Sequence, residues 1–163
     1  KLQWGSLNPD VPIGSVVCPY TSFGITRNYD YFHAETTAEE RASGKIEPYT
    51  ITKALNCDRE VHDALYKALQ DTTPKAHPDF FDNKPPQALP NIVNASADSF
   101  YGSQGREDAA FLDANANLIE VLQQRHPGIS TLEMETFVLN HLAMCAAVSP
   151  EAPKIRTGAV QMM

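Results

Sequence analysis

Short β-branched runs alternate along this chain with stretches whose apolar residues recur at helical spacing. Residues 13–19 (IGSVVCP) are bounded by glycine and proline and predict a buried strand, and a weaker strand is predicted at 22–27. Between 57 and 70 an apolar stripe predicts an amphipathic helix with Asn56 as its N-cap. The stripe, at i, i+3, i+4, i+7 and i+8, consists of Val61, Ala64, Leu65, Ala68 and Leu69.

The same alternation continues to the end of the chain. Three further strands are predicted, at 91–97, 129–132 and 155–163. Two further helices are predicted, at 112–125 and 134–147. Thr37 and Glu40 have the spacing of a capping box and predict a short surface helix at 36–43. Residues 72–90 hold five of the 12 prolines without a period, which predicts a long loop.

Strands that alternate with helices predict an α/β fold whose sheet is largely parallel. The length of 163 residues suits one domain with one core, so we expect residues 1–163 to form a single domain. Ligands of such sheets bind at the carboxyl ends of the strands. Polar or aromatic residues directly after a predicted strand are therefore the first candidates for function.

Composition narrows the classes of partner. The net charge is -7 and the 13 lysines and arginines are scattered, which argues against a nucleic acid, because its binding rests on clustered cations. No apolar run approaches the roughly 20 residues of a membrane span, and residues 1–4 do not resemble a signal peptide. We therefore expect no membrane partner and a cytoplasmic location. Cys18, Cys57 and Cys145 predict reduced thiols, and the five histidines show no ligand spacing, so no metal site is expected.

The first candidate segment follows the strand predicted at 91–97. Phe100, Gln104 and Arg106 place an aromatic ring, a carboxamide and a guanidinium on one loop. A uracil-like ring offers an apolar face together with carbonyl acceptors and an N–H donor on its edge. Gln104 can donate and accept, Arg106 donates from a planar fork, and Phe100 can stack on the face. The alternative is a polar turn in which Arg106 pairs with a neighbouring acid, Glu107 or Asp108.

The second candidate segment, Glu133, Met134 and Glu135, lies at a predicted strand-to-helix junction. Two glutamates at a helix start can simply be first-turn carboxylates that the helix dipole favours. The functional alternative is that one carboxylate accepts hydrogen bonds from the two hydroxyls of a ribose while the methionine lies against the sugar face.

Taken together, the two segments resemble a known family. The string SFYGSQGR at 99–106 resembles the base-recognition loop of uridine phosphorylases, and LEMET at 132–136 resembles the Glu-Met-Glu segment of the same family, downstream at a similar distance. The resemblance implies the uridine phosphorylase branch of the nucleoside phosphorylase family. The implied fold is a mixed sheet flanked by helices, which would be incomplete at both ends of this chain.

The resemblance also implies roles. Phe100 would pack on the pyrimidine, Gln104 and Arg106 would read its edge, and Met134 and Glu135 would contact the ribose, with Glu133 at the same substrate site in a supporting role. The implied reaction is the reversible phosphorolysis of uridine to free base and ribose 1-phosphate, a step of nucleoside salvage. Arg106 and Glu135 would be the catalytic residues. No cofactor is implied, only phosphate as co-substrate, and self-association into a homodimer or homohexamer is expected.

The ends of the chain depart from the family pattern. Relatives bind phosphate through a glycine-rich turn, arginines and a Gly-Thr segment at or before the position of Gly5, whereas Gln3 and Trp4 stand where hydroxyl residues are usual. We therefore expect an interior piece of a longer protein that lacks the phosphate-binding part.

Two alternatives remain open at this point. One is a phosphorylase or hydrolase of purine nucleosides, against which the pair Gln104 and Arg106 counts, because purine-specific relatives usually carry an aspartate in its place. The other is a non-catalytic nucleoside-binding relative, which the departures at Gln3 and Trp4 favour slightly.

Overall fold

The computed structural model describes residues 6–9, 11–12, 14–72 and 85–163, and its centre is one long strand. Strand β1 (Val16–Arg27) joins the two strands predicted at 13–19 and 22–27. The pairing of β1 with its parallel neighbour is irregular on both sides of Pro19. Proline has no N–H to donate to a sheet ladder, so a strand tolerates it at such an irregularity. The proline that suggested a break is accommodated inside the strand.

Within the described residues the sheet is mixed and has six strands. The order along its main path is β2 (Tyr49–Ile51), β1, β4 (Ala88–Ala97) and β5 (Ile129–Glu133). Strands β4 (Ala88–Ala97) and β5 (Ile129–Glu133) extend it in parallel from β1. Three short strands pair antiparallel with β1, namely β2 (Tyr49–Ile51), β3 (Leu55–Asn56) and β6 (Gln161–Met162). The three longest strands pair in parallel, as the alternation predicts, and the three short antiparallel strands make it the mixed sheet flanked by helices that the resemblance implied, which is confirmed. The short strands have too few residues to produce a period in the sequence.

Four helices flank this sheet in the described ranges. They are α1 (Ala38–Ala42), α2 (Arg59–Thr72), α3 (Leu118–Arg125) and α4 (Thr136–Val148). The capping box of Thr37 and Glu40 is confirmed at α1. The predicted cap at Asn56 is wrong: Asn56 pairs in β3, and the Asp58 carboxylate accepts the Val61 N–H at 3.0 Å instead. No helix in these ranges is long and apolar enough to span a bilayer.

Two predicted elements are shorter in the structure. Helix α3 begins at Leu118 rather than at 112, because the preceding residues are irregular and Asn115 among them holds the loop after β4. The strand predicted at 155–163 is reduced to Gln161–Met162. Most of the loop predicted at 72–90 lies outside the described residues, and its last three residues, 88–90, belong to β4.

The core lies between the sheet and α3. It is built from Phe23, Ile25, Tyr49, Ala95, Leu118, Leu122, Ile129 and Leu132. Helix α4 differs, because polar Thr136 and Asn140 are among its buried residues while Leu142 and Val138 are exposed. The Asn140 side chain bridges Ser22 and Thr157 at 2.9 and 2.8 Å. Hydrogen bonds therefore contribute to how α4 sits against β1, beside the contact of the Phe137 ring with Gly24.

The register brings three strand ends to one edge of the sheet. Ile25 of β1 lies beside Ala97 of β4, and Ser96 of β4 lies beside Glu133 of β5. Because these strands are parallel, the segments that follow them emerge on the same side. Both candidate segments of the sequence begin at this edge.

Candidate functional site

The first part of the site is the loop at 98–106, which we call the base loop. It leaves β4 after Ala97 and makes a short 3-10 helix (Gly102–Gln104). Gly105 follows with φ 71°, a left-handed conformation that glycine adopts without steric cost. This turn directs Arg106 back toward the start of the loop.

The three predicted base-reading side chains meet within this loop. Arg106 Nη1 donates to the backbone oxygen of Phe100 at 2.5 Å and to Gln104 Oε1 at 3.0 Å. The guanidinium carbon lies 4.1 Å from the centre of the Phe100 ring, a cation–π arrangement. Gln104 is buried, whereas Phe100 is 43% exposed. The alternative pairing of Arg106 with Glu107 or Asp108 is absent from the ion pairs of the described residues.

Polar contacts within and beneath the base loop determine its shape. The Asn115 amide nitrogen donates to the carbonyl oxygens of Gly102 and Arg106, at 3.0 and 2.9 Å. The Asp98 carboxylate accepts the Arg27 N–H at 2.8 Å and the Ser103 hydroxyl. These contacts join the base loop to the end of β1 and to the segment before α3.

Gly102 is a close-approach position in this scaffold. A Cβ at Gly102 would lie 2.9 Å from Arg27 Nη1 and 3.1 Å from the Tyr49 hydroxyl. Arg27 in turn donates to the Asp113 carboxylate, and Tyr49 donates to the Asp113 backbone oxygen at 2.6 Å. Burial raises the pKa of Tyr49 to about 12, so the phenol stays protonated as a donor at neutral pH.

The second part of the site is the segment at 133–136, which we call the sugar junction. The Glu133 carboxylate accepts five hydrogen bonds there. Burial acts to raise the pKa of Glu133, but hydrogen bonds from Ser96, Asn94 and the backbone N–H groups of Glu135 and Thr136 together hold it below its ordinary value. Glu133 therefore carries its negative charge at neutral pH. As the last residue of β5 it accepts the N–H groups at the start of α4, whereas the interpretation of the two glutamates as first-turn carboxylates is wrong, because the first turn of α4 contains no acid.

Met134 and Glu135 face solvent at the same junction. Met134 is 37% exposed and Glu135 is exposed as well. Among the residues that the structure describes, none donates a hydrogen bond to the Glu135 carboxylate. Of the two acids, Glu133 has its oxygens occupied, whereas no donor in the described ranges occupies those of Glu135.

The structure thus brings the predicted residues to one sheet edge in two groups. Arg106 contacts both Phe100 and Gln104, while Met134 and Glu135 follow the adjacent strand. Sequence reasoning missed the supporting residues Asn94, Ser96 and Asn115. Asn94 and Ser96 stand inside a predicted strand, and a polar residue there is visible as a candidate only once its burial is known.

The other chemistry-bearing groups lie elsewhere. Cys18 and Cys57 are buried free thiols, and burial raises the pKa of Cys18 to about 11, so that thiol is a poor nucleophile at neutral pH. In the described part of the chain, no group of three or more His, Cys, Asp or Glu side chains could hold a metal ion.

Comparison with known proteins supplies the family. The model of the phosphorylase superfamily matches residues 4–149. A solved uridine phosphorylase from the oomycete Phytophthora capsici is 31% identical, with a TM-score of 0.79 over 97% of this chain and 53% of its own. A Trypanosoma brucei nucleoside phosphorylase that shows uridine phosphorylase activity is 17% identical, with a TM-score of 0.58 over 98% of this chain and 51% of its own.

A more distant structure shares the fold alone. It is a putative methylthioadenosine nucleosidase from Weissella paramesenteroides, 15% identical, with a TM-score of 0.52 over 99% of this chain and 52% of its own. No curated protein matches the chain. The chain spans about half the length of the solved structures that it matches. The family match covers most of the chain, and the chain belongs to the phosphorylase superfamily.

Proposed function

We propose that this chain carries the nucleoside-binding part of an enzyme that cleaves uridine with phosphate. One observation carries the proposal: the base loop and the sugar junction follow neighbouring parallel strands, with Ser96 of β4 beside Glu133 of β5. A base and its ribose held at this edge would each meet one of the two segments. The 31% identity to a uridine phosphorylase supports the same substrate class.

Base recognition would rest on Gln104 and Arg106. The carbonyl oxygen of the buried Gln104 already accepts a hydrogen bond from Arg106, which leaves the Gln104 amide nitrogen as the donor for a uracil carbonyl. The guanidinium lies over the Phe100 ring, so a base that stacks on this face of the ring would displace the arginine. A site that hydrogen-bonds a substrate edge discriminates strongly, because the wrong base leaves buried polar groups unpaired.

Ribose recognition would rest on Glu135, with Met134 against the sugar face. The Glu135 carboxylate is free of protein donors in the described chain and can accept from the 2′- and 3′-hydroxyls. Such hydrogen bonds strengthen as the sugar gains positive charge in an oxocarbenium-like transition state. Glu135 would therefore contribute to the rate as well as to binding.

The proposed reaction breaks the bond between C1′ of the ribose and N1 of uracil, and the bonding electron pair leaves with the base. Arg106 would stabilise the negative charge that develops on the departing ring. A phosphate oxygen then forms the new bond to C1′, giving ribose 1-phosphate, and the uracil anion takes up a proton. Phosphate is the only co-substrate of this step. Self-association and a cytoplasmic location belong to the same proposal.

The test is a cleavage assay on the complete gene product that contains this chain. Uridine, inosine and thymidine are incubated with and without phosphate, and free base is measured. Uracil release that depends on phosphate is the expected result. Cleavage of inosine alone would transfer the proposal to purine nucleosides, and nucleoside binding without cleavage would indicate a non-catalytic relative.

A further inference from the structure

The Glu133 carboxylate is held from two sides. Its Oε1 accepts the Asn94 amide at 2.6 Å and the Ser96 hydroxyl, both from β4. Its Oε2 accepts the N–H groups of Glu135 and Thr136 at 2.8 and 2.9 Å and the Thr136 hydroxyl at 3.0 Å. The carboxylate therefore connects the end of β4 to the start of α4.

These five contacts use the whole acceptor capacity of the side chain. An ionised carboxylate offers about four lone-pair sites on its two oxygens. With two donors on one oxygen and three on the other, a ribose hydroxyl could bind Glu133 only by displacing a protein donor. Glu133 is thus poorly suited to contact the sugar directly, and the free carboxylate at the junction belongs to Glu135.

Further buried groups orient the donors on β4. The Thr131 hydroxyl donates to Asn94 Oδ1 at 2.8 Å, which turns the Asn94 amide nitrogen toward Glu133. The Ser96 hydroxyl accepts the Phe137 N–H at 2.7 Å while it donates to Glu133. Asn94 and Thr131 are 0% exposed and Ser96 is 4% exposed. Side chains buried this deeply keep one geometry, since any other arrangement leaves a polar group unpaired.

We propose that Asn94, Ser96 and Glu133 are positioning residues that hold the backbone of Glu135 and thereby aim its carboxylate at the nucleoside hydroxyls. That the Glu135 carboxylate binds a nucleoside rests on the proposed function. That Glu133 fixes the backbone at Glu135 and Thr136 does not, because the hydrogen bonds to these two N–H groups show it directly.

The first arm of the test measures, without any substrate, how firmly Glu133 fixes the backbone N–H groups of Glu135 and Thr136. In Glu133→Gln, one carboxylate oxygen becomes an NH₂ group that faces donors and cannot accept from them. Amide hydrogen exchange at Glu135 and Thr136 should become at least about tenfold faster, since these N–H groups lose a charged acceptor. Unchanged exchange at both amides would overturn the proposal, whatever the activity of the protein.

The second arm asks whether Glu133 acts through Glu135. Uridine binding and the KM and kcat of phosphorolysis are measured for Glu133→Gln, Glu135→Ala and the double variant. Residues that act as one unit give non-additive effects, so the double variant should bind uridine no more weakly than Glu135→Ala alone. Effects that multiply across the two variants would contradict a positioning role.

Asn140→Ala is the matched control for lost stability. It removes buried hydrogen bonds from the same helix, to Ser22 and Thr157, without touching the sugar junction. At a similar loss of Tm, it should leave the KM for uridine within about twofold, whereas Glu133→Gln raises it about tenfold. An equal rise of KM in both variants would show that Glu133 contributes only to stability, which would contradict a positioning role. If the wild type neither binds nor cleaves uridine, the proposed function fails and the ribose half of this proposal fails with it, while the exchange arm still decides the hold on Glu135.

Discussion

The base loop and the sugar junction are held by different kinds of contact. Arg106 bonds to Phe100 and Gln104, which lie six and two residues before it in the chain. The sugar junction is tied through Glu133 to Asn94 and Ser96, 39 and 37 residues away on another strand. The contacts of Arg106 with the exposed Phe100 are local and can rearrange when a ligand binds, although Asn115 fixes the backbone of the base loop beneath them. The buried long-range network at Glu133 keeps its geometry. The difference indicates that the sugar junction is formed in advance, whereas the Arg106 and Phe100 side chains of the base loop can adjust.

The largest effect is expected from a substitution in the base loop. Replacing Arg106 with Ala removes the guanidinium proposed to stabilise the departing base, and losing one such donor costs about 10²–10³ in rate. The kcat/KM for uridine should fall by about that factor. Arg125→Ala is the matched control, since this exposed arginine pairs only with Glu47 among the described residues. Full uridine turnover in Arg106→Ala would remove Arg106 from the mechanism.

The next largest effect is expected from a substitution at the sugar junction. Glu135→Gln removes the charge that is proposed to hold the 2′-hydroxyl, and a hydrogen bond to a charged group contributes about 1.5–3 kcal/mol. Steady-state kinetics on uridine and 2′-deoxyuridine should show a loss of about 10- to 100-fold on uridine and a much smaller loss on the deoxynucleoside. An equal loss on both substrates would mean that Glu135 does not read that hydroxyl.

A smaller effect tests what holds the base loop. Asn115→Ala leaves the carbonyl oxygens of Gly102 and Arg106 without their buried donor, which should cost about 1–3 kcal/mol of unfolding free energy. Asn117→Ala is the control, because Asn117 is exposed and its side chain caps nothing at the start of α3. Urea unfolding of both variants provides the measurement. Equal stability of the two would show that the loop does not depend on Asn115.

The smallest effect concerns pH. Hydrogen bonds hold the pKa of Glu133 below its ordinary value of 4.5, so the folded state binds this proton less readily than the unfolded state. The stability from the ionised network is therefore complete above pH 4.5 and is lost as the pH falls through the lower folded-state pKa. The difference in unfolding free energy between wild type and Glu133→Gln should shrink in that acid range. A difference that stays constant from pH 7 downward would show that the charge of Glu133 is not what holds the junction.

Much of the fold could be predicted where the pattern is strong and local. The capping box at Thr37 and Glu40 and the strand at 129–132 were visible because each is complete within a few residues. The antiparallel additions to β1 were not visible. Strand β3 has two residues, and its partner Thr21 lies 35 positions away from Asn56, so only the tertiary structure determines that pairing.

In the site, too, local contacts could be predicted from the sequence and long-range contacts could not. The spacing of Phe100, Gln104 and Arg106 predicted a cluster, and the structure has these side chains in contact. The function of that cluster stays a prediction. The division of labour between Glu133 and Glu135 could not be predicted, because two acids two residues apart look equivalent until the donors on β4 are known. The sequence does not indicate which group a polar residue inside a strand, such as Asn94, will hydrogen-bond.

The most direct measurement is a crystal structure of the complete gene product with uridine bound. We expect one nucleoside at the carboxyl edge of β4 and β5, with Gln104 and Arg106 along the rim of the uracil and the Glu135 carboxylate on the ribose hydroxyls. Glu133 should keep its bonds to Asn94 and Ser96 in that complex. Uridine bound at another surface, or Arg106 and Glu135 contacting different molecules, would contradict it.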